Sequence, residues 1–207
     1  TAQQRTAIIN RIRGLLSEVG IVLPQKAETV RQRAGEALED LPTYMNQVIN
    51  DLIDELGHLD KRVQTYDVMI KEMARSNPNC KRLMQIGGIA EVTSSAIVAT
   101  IGNGHDFDNG RQFAAWIGLV PRQHGTGGKV KLGRITKMGD PYLRKLLVMG
   151  GRSVLQAAIN KTDRLSRWAL ALKERRGYAK AVVAIAAKNA RMAWAMLSKG
   201  EAFKPMS

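Results

Sequence analysis

Cysteine is almost absent from this chain: Cys80 stands alone among 207 residues, which excludes a disulfide framework and suits a reducing cytoplasm. A lone thiol with no activating neighbour reads as a packing residue. The three histidines, His58, His105 and His124, lie too far apart for metal-ligand spacing, so the residues predict no metal site. Long hydrophobic runs are missing too. The longest strongly apolar stretch, Ala181 to Ala187, stops at Lys188, far short of the roughly 20 residues that a membrane span takes. No signal peptide is visible, and Thr1 already falls inside a helical pattern, TAQQRTAIINRIRGLL, without an initiator methionine. The chain therefore reads as a piece of a longer protein. Aromatics are few, at 5 %, yet 44 % of residues are apolar, enough for a sizeable core in one or two domains.

Acid is scarce only in part of the chain. Residues 1–75 hold 10 basic and 11 acidic side chains, whereas residues 76–207 hold 22 basic and 7 acidic. All of the net charge of +14 therefore belongs to the second part and points to a polyanionic partner. The change of character near Ser76, with SNPN as a linker, predicts two domains, 1–75 and 76–207.

In the first domain, apolar residues at Met45, Ile49, Leu52, Leu56, Leu59, Val63, Tyr66, Ile70 and Met73 alternate by four and three steps, the spacing of a coiled-coil seam. A shorter stripe, Ile8, Ile12, Leu15 and Val19, ends at Gly20 and Pro24. It can pack back on the long helix, or both can meet a second subunit. A homo-oligomer through the coiled coil is expected.

The second domain opens with RLMQIGGIAEVTSSAIVATIG, a short helix, Gly87-Gly88 and a second helix. That order is the helix-hairpin-helix pattern, in which turn amides and the second helix's N-terminus meet a phosphate, although Ala90 stands where its second glycine usually falls. The bland alternative from the same residues is a tight helix connection inside a core. FDNGRQFAAWIGLV is a helix capped by Asp108 or Asn109, with Phe113, Trp116 and Ile117 facing inward. Asp140 caps a helix from Pro141 to about Ile159, and two more helices follow, separated by Gly177. Only LVPRQ and KVKLGRI hint at strand. The fold class expected is all-α for the most part: a long helical hairpin, then a compact helical domain.

The densest signal is Gly118 to Arg144, GLVPRQHGTGGKVKLGRITKMGDPYLR. Arg122, Lys129, Lys131, Arg134, Lys137, Arg144 and, just past its end, Lys145 cluster there against one acid, Asp140. Gly125, Gly127, Gly128, Gly133 and Gly139 reach positive φ cheaply and let backbone approach a bulky polyanion, so the segment reads as a phosphate-binding loop. Asp106, Asp108 and Asp140 are too dispersed to form a metal centre.

Taken in order, RTAIINRIRGLLSEVGIVLP, the coiled coil, RLMQIGGI, GRQFAAWIGLVPRQ and GGKVKLGRITKMGDPYLRKLL resemble the insertion sequence 110 / 1111 transposases, recombinases guided by a structured bridge RNA. The likeness spans nearly the whole chain and is most specific from Gly110 to Leu147. It implies a RuvC-like domain upstream of Thr1 carrying four acidic ligands for Mg2+, with no cofactor within these residues. It also implies DNA and a guide RNA as partners, a place at the bacterial nucleoid, and a serine nucleophile that joins DNA through a phosphoseryl intermediate. That serine sits in the loop after GLVP, and here it falls on Gly125 or Thr126, with no serine between Ser95 and Ser153. Thr126 is the one candidate nucleophile, a weak one unless activated. By itself the chain is expected to be inactive. The alternative is a non-catalytic DNA-binding protein of the helix-hairpin-helix type, a junction or repair accessory factor.

Overall fold

A computed structural model describes residues 1–24, 26–126, 129–200 and 203. The chain is mostly helical and divides into two compact units, Thr1–Met69 and Ile70–Ser207. Among the described residues no helix is long and apolar enough to cross a membrane.

The first unit holds α1 (Ala2–Glu18), α2 (Ala27–Glu36), a 3-10 turn (Ala37–Asp40) and the larger part of α3 (Thr43–Ser76). Ile8, Ile12 and Leu16 of α1 bury against Ile49, Leu52 and Leu56 of α3, with Val30 and Ala34 of α2 joining them. On α1 Ile9 and Leu16 join the buried stripe beside Ile8 and Ile12, Leu15 is partly buried against it, and Val19, past the last helical turn, is left 40 % exposed. Asp60 on α3 accepts hydrogen bonds from Arg5 on α1 and, at 2.6 Å, from Arg31 on α2, tying the three helices together. The α3 seam is buried from Met45 to Leu59, whereas Tyr66 and Met73 are exposed.

The second unit is built around α9 (Tyr178–Ser198), which packs on α4 (Pro78–Leu83), α6 (Gly110–Trp116), α7 (Pro141–Ala157) and α8 (Arg164–Arg176). Small residues make this possible. Ala181, Ala186, Ala190 and Ala193 of α9 are fully buried, and on facing α7 a Cβ at Gly151 would fall 2.6 Å from the carbonyl oxygen of Val182. Around these close crossings Leu83, Ile86, Phe113, Ile117, Leu143 and Leu147 fill the core, each worth about 1.5–3 kcal/mol on burial. In α5 (Glu91–Ile101) buried Ser94 and Ser95 return their hydroxyls to the carbonyls of Glu91 and Val92, so neither is left without a partner. Cys80 is buried, and burial pushes its thiol up.

Local signals explain the helix ends. Asn77 accepts from the amides of Asn79 and Cys80 ahead of α4. Asn109, rather than Asp108, accepts from Arg111 and Gln112 at the start of α6. Asp140 accepts from Tyr142 and Leu143 with Pro141 as the first residue of α7. Gly177, at φ 84°, separates α8 from α9.

Candidate nucleic-acid interface

The glycine and cation segment is a β-hairpin. β1 (Pro121–Thr126) pairs antiparallel with β2 (Lys129–Ile135), Gln123 opposite Leu132, His124 opposite Lys131 and Thr126 opposite Lys129, with an irregularity around Arg122. Strand side chains alternate between faces, yet Arg122 and Gln123 on β1, and Lys131, Leu132 and Arg134 on β2, are all exposed. Among the described residues, neither face of the ribbon packs on the body of the unit. Two strands alone are marginal in water, so the order of this arm has to come from its root.

The root is tightly built. Thr136 donates its amide to Val120 at 2.9 Å and Lys137 donates to Gly118 at 3.1 Å. Arg144, one turn into α7, donates from Nη1 to the carbonyls of Ile117 at 2.8 Å and Met138 at 3.0 Å, so one guanidinium pins both chains entering the arm. Arg122 adds a 3.3 Å hydrogen bond from Nη2 to the carbonyl of Thr136. Gly118 and Gly139 both stand at φ 79°, and a Cβ on Gly139 would fall 1.8 Å from the carbonyl oxygen of Trp116, so only glycine fits. Lys137 sits at φ 55°, an uncommon conformation for a residue with a Cβ.

The expected site residues are distributed as follows. Arg122, Lys131, Arg134, Lys137 and Lys145 are exposed on or beside the arm, whereas Arg144 is half-buried and engaged with backbone. Gly125 is an exposed strand residue, and neither it nor Gly133 takes positive φ, because extended pairing leaves no turn there; in this segment that role falls to Gly118 and Gly139. Thr126 and Lys129 are cross-strand partners in the backbone register, and Gly127 and Gly128 lie outside the described residues. Gly87 and Gly88 do not join the arm. They cross α7 at Gly150, ten residues beyond Asp140 and so about 15 Å along the helix at 1.5 Å per residue. There Asn189 of α9 donates to the carbonyl of Gly87 at 2.8 Å, and Gly88 presses on the Gly150 backbone. A depression of about 360 Å³ beside it is lined by Gly88, Ala90, Thr93 and Arg152 among others.

One expectation fails at Trp116. Its ring is 41 % exposed instead of core, because α6 ends there after seven residues and the chain turns away through Gly118. Carboxylates give no metal centre. Asp140 spends its Oδ1 on the α7 cap, and among the described residues no three His, Cys, Asp or Glu gather to hold a metal ion. The described residues do not fit a catalytic Mg2+ pair. The described ion pairs all lie away from the arm, at Asp60 and between Arg75 and Glu91, which leaves the arm's described cations without a carboxylate among the described residues.

The second unit thus presents a basic arm rooted in a helical body. Residues 80–167 match the model of the "Transposase IS116/IS110/IS902 family". Over 206 residues the chain is 41 % identical to a "Probable family 20 transposase" of Pseudomonas aeruginosa, covering 97 % of this chain and 61 % of that protein. Over 207 residues it is 41 % identical to the "Transposase for insertion sequence element IS1111A" of Coxiella burnetii, covering 98 % of this chain and 57 % of the relative. The transposase of insertion sequence element IS1328 from Yersinia enterocolitica is 31 % identical over 97 % of the chain and 60 % of its own length. The chain belongs to this transposase family. It spans roughly three fifths of the length of the relatives it matches.

Proposed function

We propose that this chain is the part of a DNA transposase that grips nucleic acid and carries the loop where strand cleavage and joining take place. The observation that carries the reading is the β1–β2 arm, exposed on both faces and rich in cations with no carboxylate partner among the described residues. A two-stranded ribbon is narrow enough to enter a nucleic-acid groove. Arg122, Lys131, Arg134, Lys137 and Lys145 then meet phosphates of DNA or of a guide RNA, and Arg144 holds the arm's root rather than the ligand. Lys129, opposite Thr126 in the register, joins them at the site of chemistry. A second contact, to a phosphate at the Gly87–Gly88 turn, is aided by Arg152 across the neighbouring depression.

Thr126 occupies the nucleophile position in this reading, with Gly125 as the alternative place of the serine. Phosphoryl transfer needs an activated hydroxyl and positive charge at the non-bridging oxygens. The arm supplies charge, and the carboxylates for a metal come from elsewhere in the assembled transposase. The missing serine favours a second reading, in which the chain binds without cleaving.

The binding claim is tested by titrating DNA and RNA duplexes at several salt concentrations. Neutralising about six phosphates predicts a loss of about three decades in affinity between 50 and 200 mM salt. Binding that ignores salt would sink the proposal. For the chemical claim, Gly125→Ser and Thr126→Ser are assayed, in the assembled transposase with guide RNA and Mg2+, for protein covalently attached to DNA. An adduct from either supports the nucleophile loop, and none from both leaves binding alone.

A further inference from the structure

We infer that the cavity between α5 and α6 is a pocket for a single unstacked nucleobase, with guanine the best fit. It has a volume of about 400 Å³ and is lined by Thr100, Ile101, Asp106, Phe107, Gln112 and Trp116, within the range of small-ligand sites. Trp116 offers a partly exposed indole whose orientation is fixed: Phe107 meets it edge-on at 5.6 Å and Phe113 lies nearly parallel at 6.3 Å. An exposed, immobilised aromatic face is the platform on which single-stranded nucleic acids stack.

The polar groups select among bases. Thr100 donates its hydroxyl to the carbonyl of Ala96 at 2.7 Å and so offers acceptor lone pairs to the cavity. Gln112 accepts from the Asp108 amide at 2.6 Å through Oε1, which leaves its Nε2 hydrogens as donors. Asp106 adds an acceptor-only carboxylate. Paired N–H donors on one edge, as on N1 and N2 of guanine, suit a carboxylate, and the adjoining O6 suits the Gln112 amide. A bare phosphate does not fit beside Asp106.

Position ties the pocket to the arm. The carbonyl of Trp116 lies over Gly139, and that of the next residue, Ile117, receives Arg144, so the pocket wall and the arm's root are one piece of backbone. A strand held by the arm passes the pocket mouth, where one displaced base can insert. The inference rests on the proposed nucleic-acid binding and adds a base-reading site to it.

The test uses this chain with a nine-nucleotide thymidylate oligomer carrying one central guanine, its abasic counterpart, and guanosine monophosphate alone. Quenching of Trp116 fluorescence is followed, with Trp116→Phe giving the background from Trp168 and Trp194. The guanine oligomer should bind about tenfold more tightly than the abasic one, in line with the energy of one stacked base. Asp106→Asn should abolish the preference for guanine over a matching oligomer with a central adenine without changing the salt slope, and Trp116→Ala, followed by the anisotropy of a labelled oligomer in place of the lost indole signal, should remove the advantage of any base. Salt-dependent binding with equal affinity for guanine and abasic oligomers overturns the pocket and leaves the arm's role standing. Quenching by guanosine monophosphate without oligomer binding supports the pocket and overturns the arm's role; no quenching by either overturns the pocket.

Discussion

Gly88 and Gly150 meet backbone against backbone: a Cβ on Gly150 would lie 2.0 Å from the carbonyl oxygen of Gly88, and one on Gly88 would lie 2.5 Å from that of Gly150. Neither neighbour can yield, because the opposing atom is main chain. Gly150→Ala should therefore destabilise the second unit by about 3 kcal/mol, the upper range for overpacking. Gly14→Ala, in α1 with nothing within 4 Å, should instead stabilise the first unit by up to about 1 kcal/mol through helix propensity. Denaturant midpoints of the two variants check the opposite signs.

Arg144 is the second place where a substitution discriminates between roles. Its Nη1 serves two carbonyls at the root of the arm, so Arg144→Ala leaves Ile117 and Met138 short of a donor. Amide hydrogen exchange in β1 and β2 should accelerate about tenfold or more, for a loss of about 1.5–3 kcal/mol per charged hydrogen bond, while α9 stays protected. Arg144→Lys should recover only part of this, since a single ammonium lacks the planar fork. Unchanged exchange in the arm would remove the clamp from the account.

Much of this was legible in the chain, and the failures share a cause. The cap at Asp140, a cap at Asp108 or Asn109 that the structure places on Asn109, and the break at Gly177 are local, decided by neighbouring backbone, and were readable. The hairpin was only hinted at by KVKLGRI, because sequence reports a strand through alternating burial and this arm buries neither face. Gly150 and Gly151 gave no signal beyond two glycines in a helix. Their meaning depends on Gly88 and Val182, which only tertiary contact brings near. Trp116 passed for core on helical spacing, and the early end of α6 left it half outside.

Asp60 makes the first unit sensitive to acid. Burial works to raise its carboxyl, but the hydrogen bonds and charges of Arg5 and Arg31 together outweigh that and hold it below its ordinary value of 3.8. A lowered carboxyl contributes stability that is complete above the unfolded value and is lost as pH falls through the folded one. The stability difference between the wild type and Asp60→Asn should be flat near neutrality, then shrink as pH drops below about 3.8. At neutral pH it should amount to about 1 kcal/mol or less, because both partners are about one third exposed or more and solvent screens them. Urea unfolding of the first unit across pH 2–7 supplies the measurement.

The α3 seam continues beyond its buried stretch. Tyr66 at 46 % and Met73 at 52 % exposure carry on the four and three spacing of Met45 to Leu59, left uncovered among the described residues. A second copy of the same helix is the occupant that this spacing suits. Tyr66→Glu combined with Met73→Glu should shift sedimentation from dimer to monomer without lowering helicity, because both side chains are exposed and neither belongs to a buried core. A wild-type chain that sediments as a monomer at every concentration would end the proposal.

Lys131 and Arg134 separate charge from shape in the arm. Both are exposed on β2, and neither makes an ion pair among the described residues, so replacing them removes phosphate contacts without disturbing the root. Each change to alanine should lower the slope of log affinity against log salt by about 0.9, the counterion released per neutralised phosphate, and weaken binding almost equally across sequences. Arg144→Ala should behave differently. It loosens the arm as a unit, so affinity falls while the slope contributed by Lys131 and Arg134 persists whenever the arm is engaged. If Lys131→Ala and Arg134→Ala leave the slope unchanged, the arm is not the polyelectrolyte contact, and the charge of the second unit acts from another face.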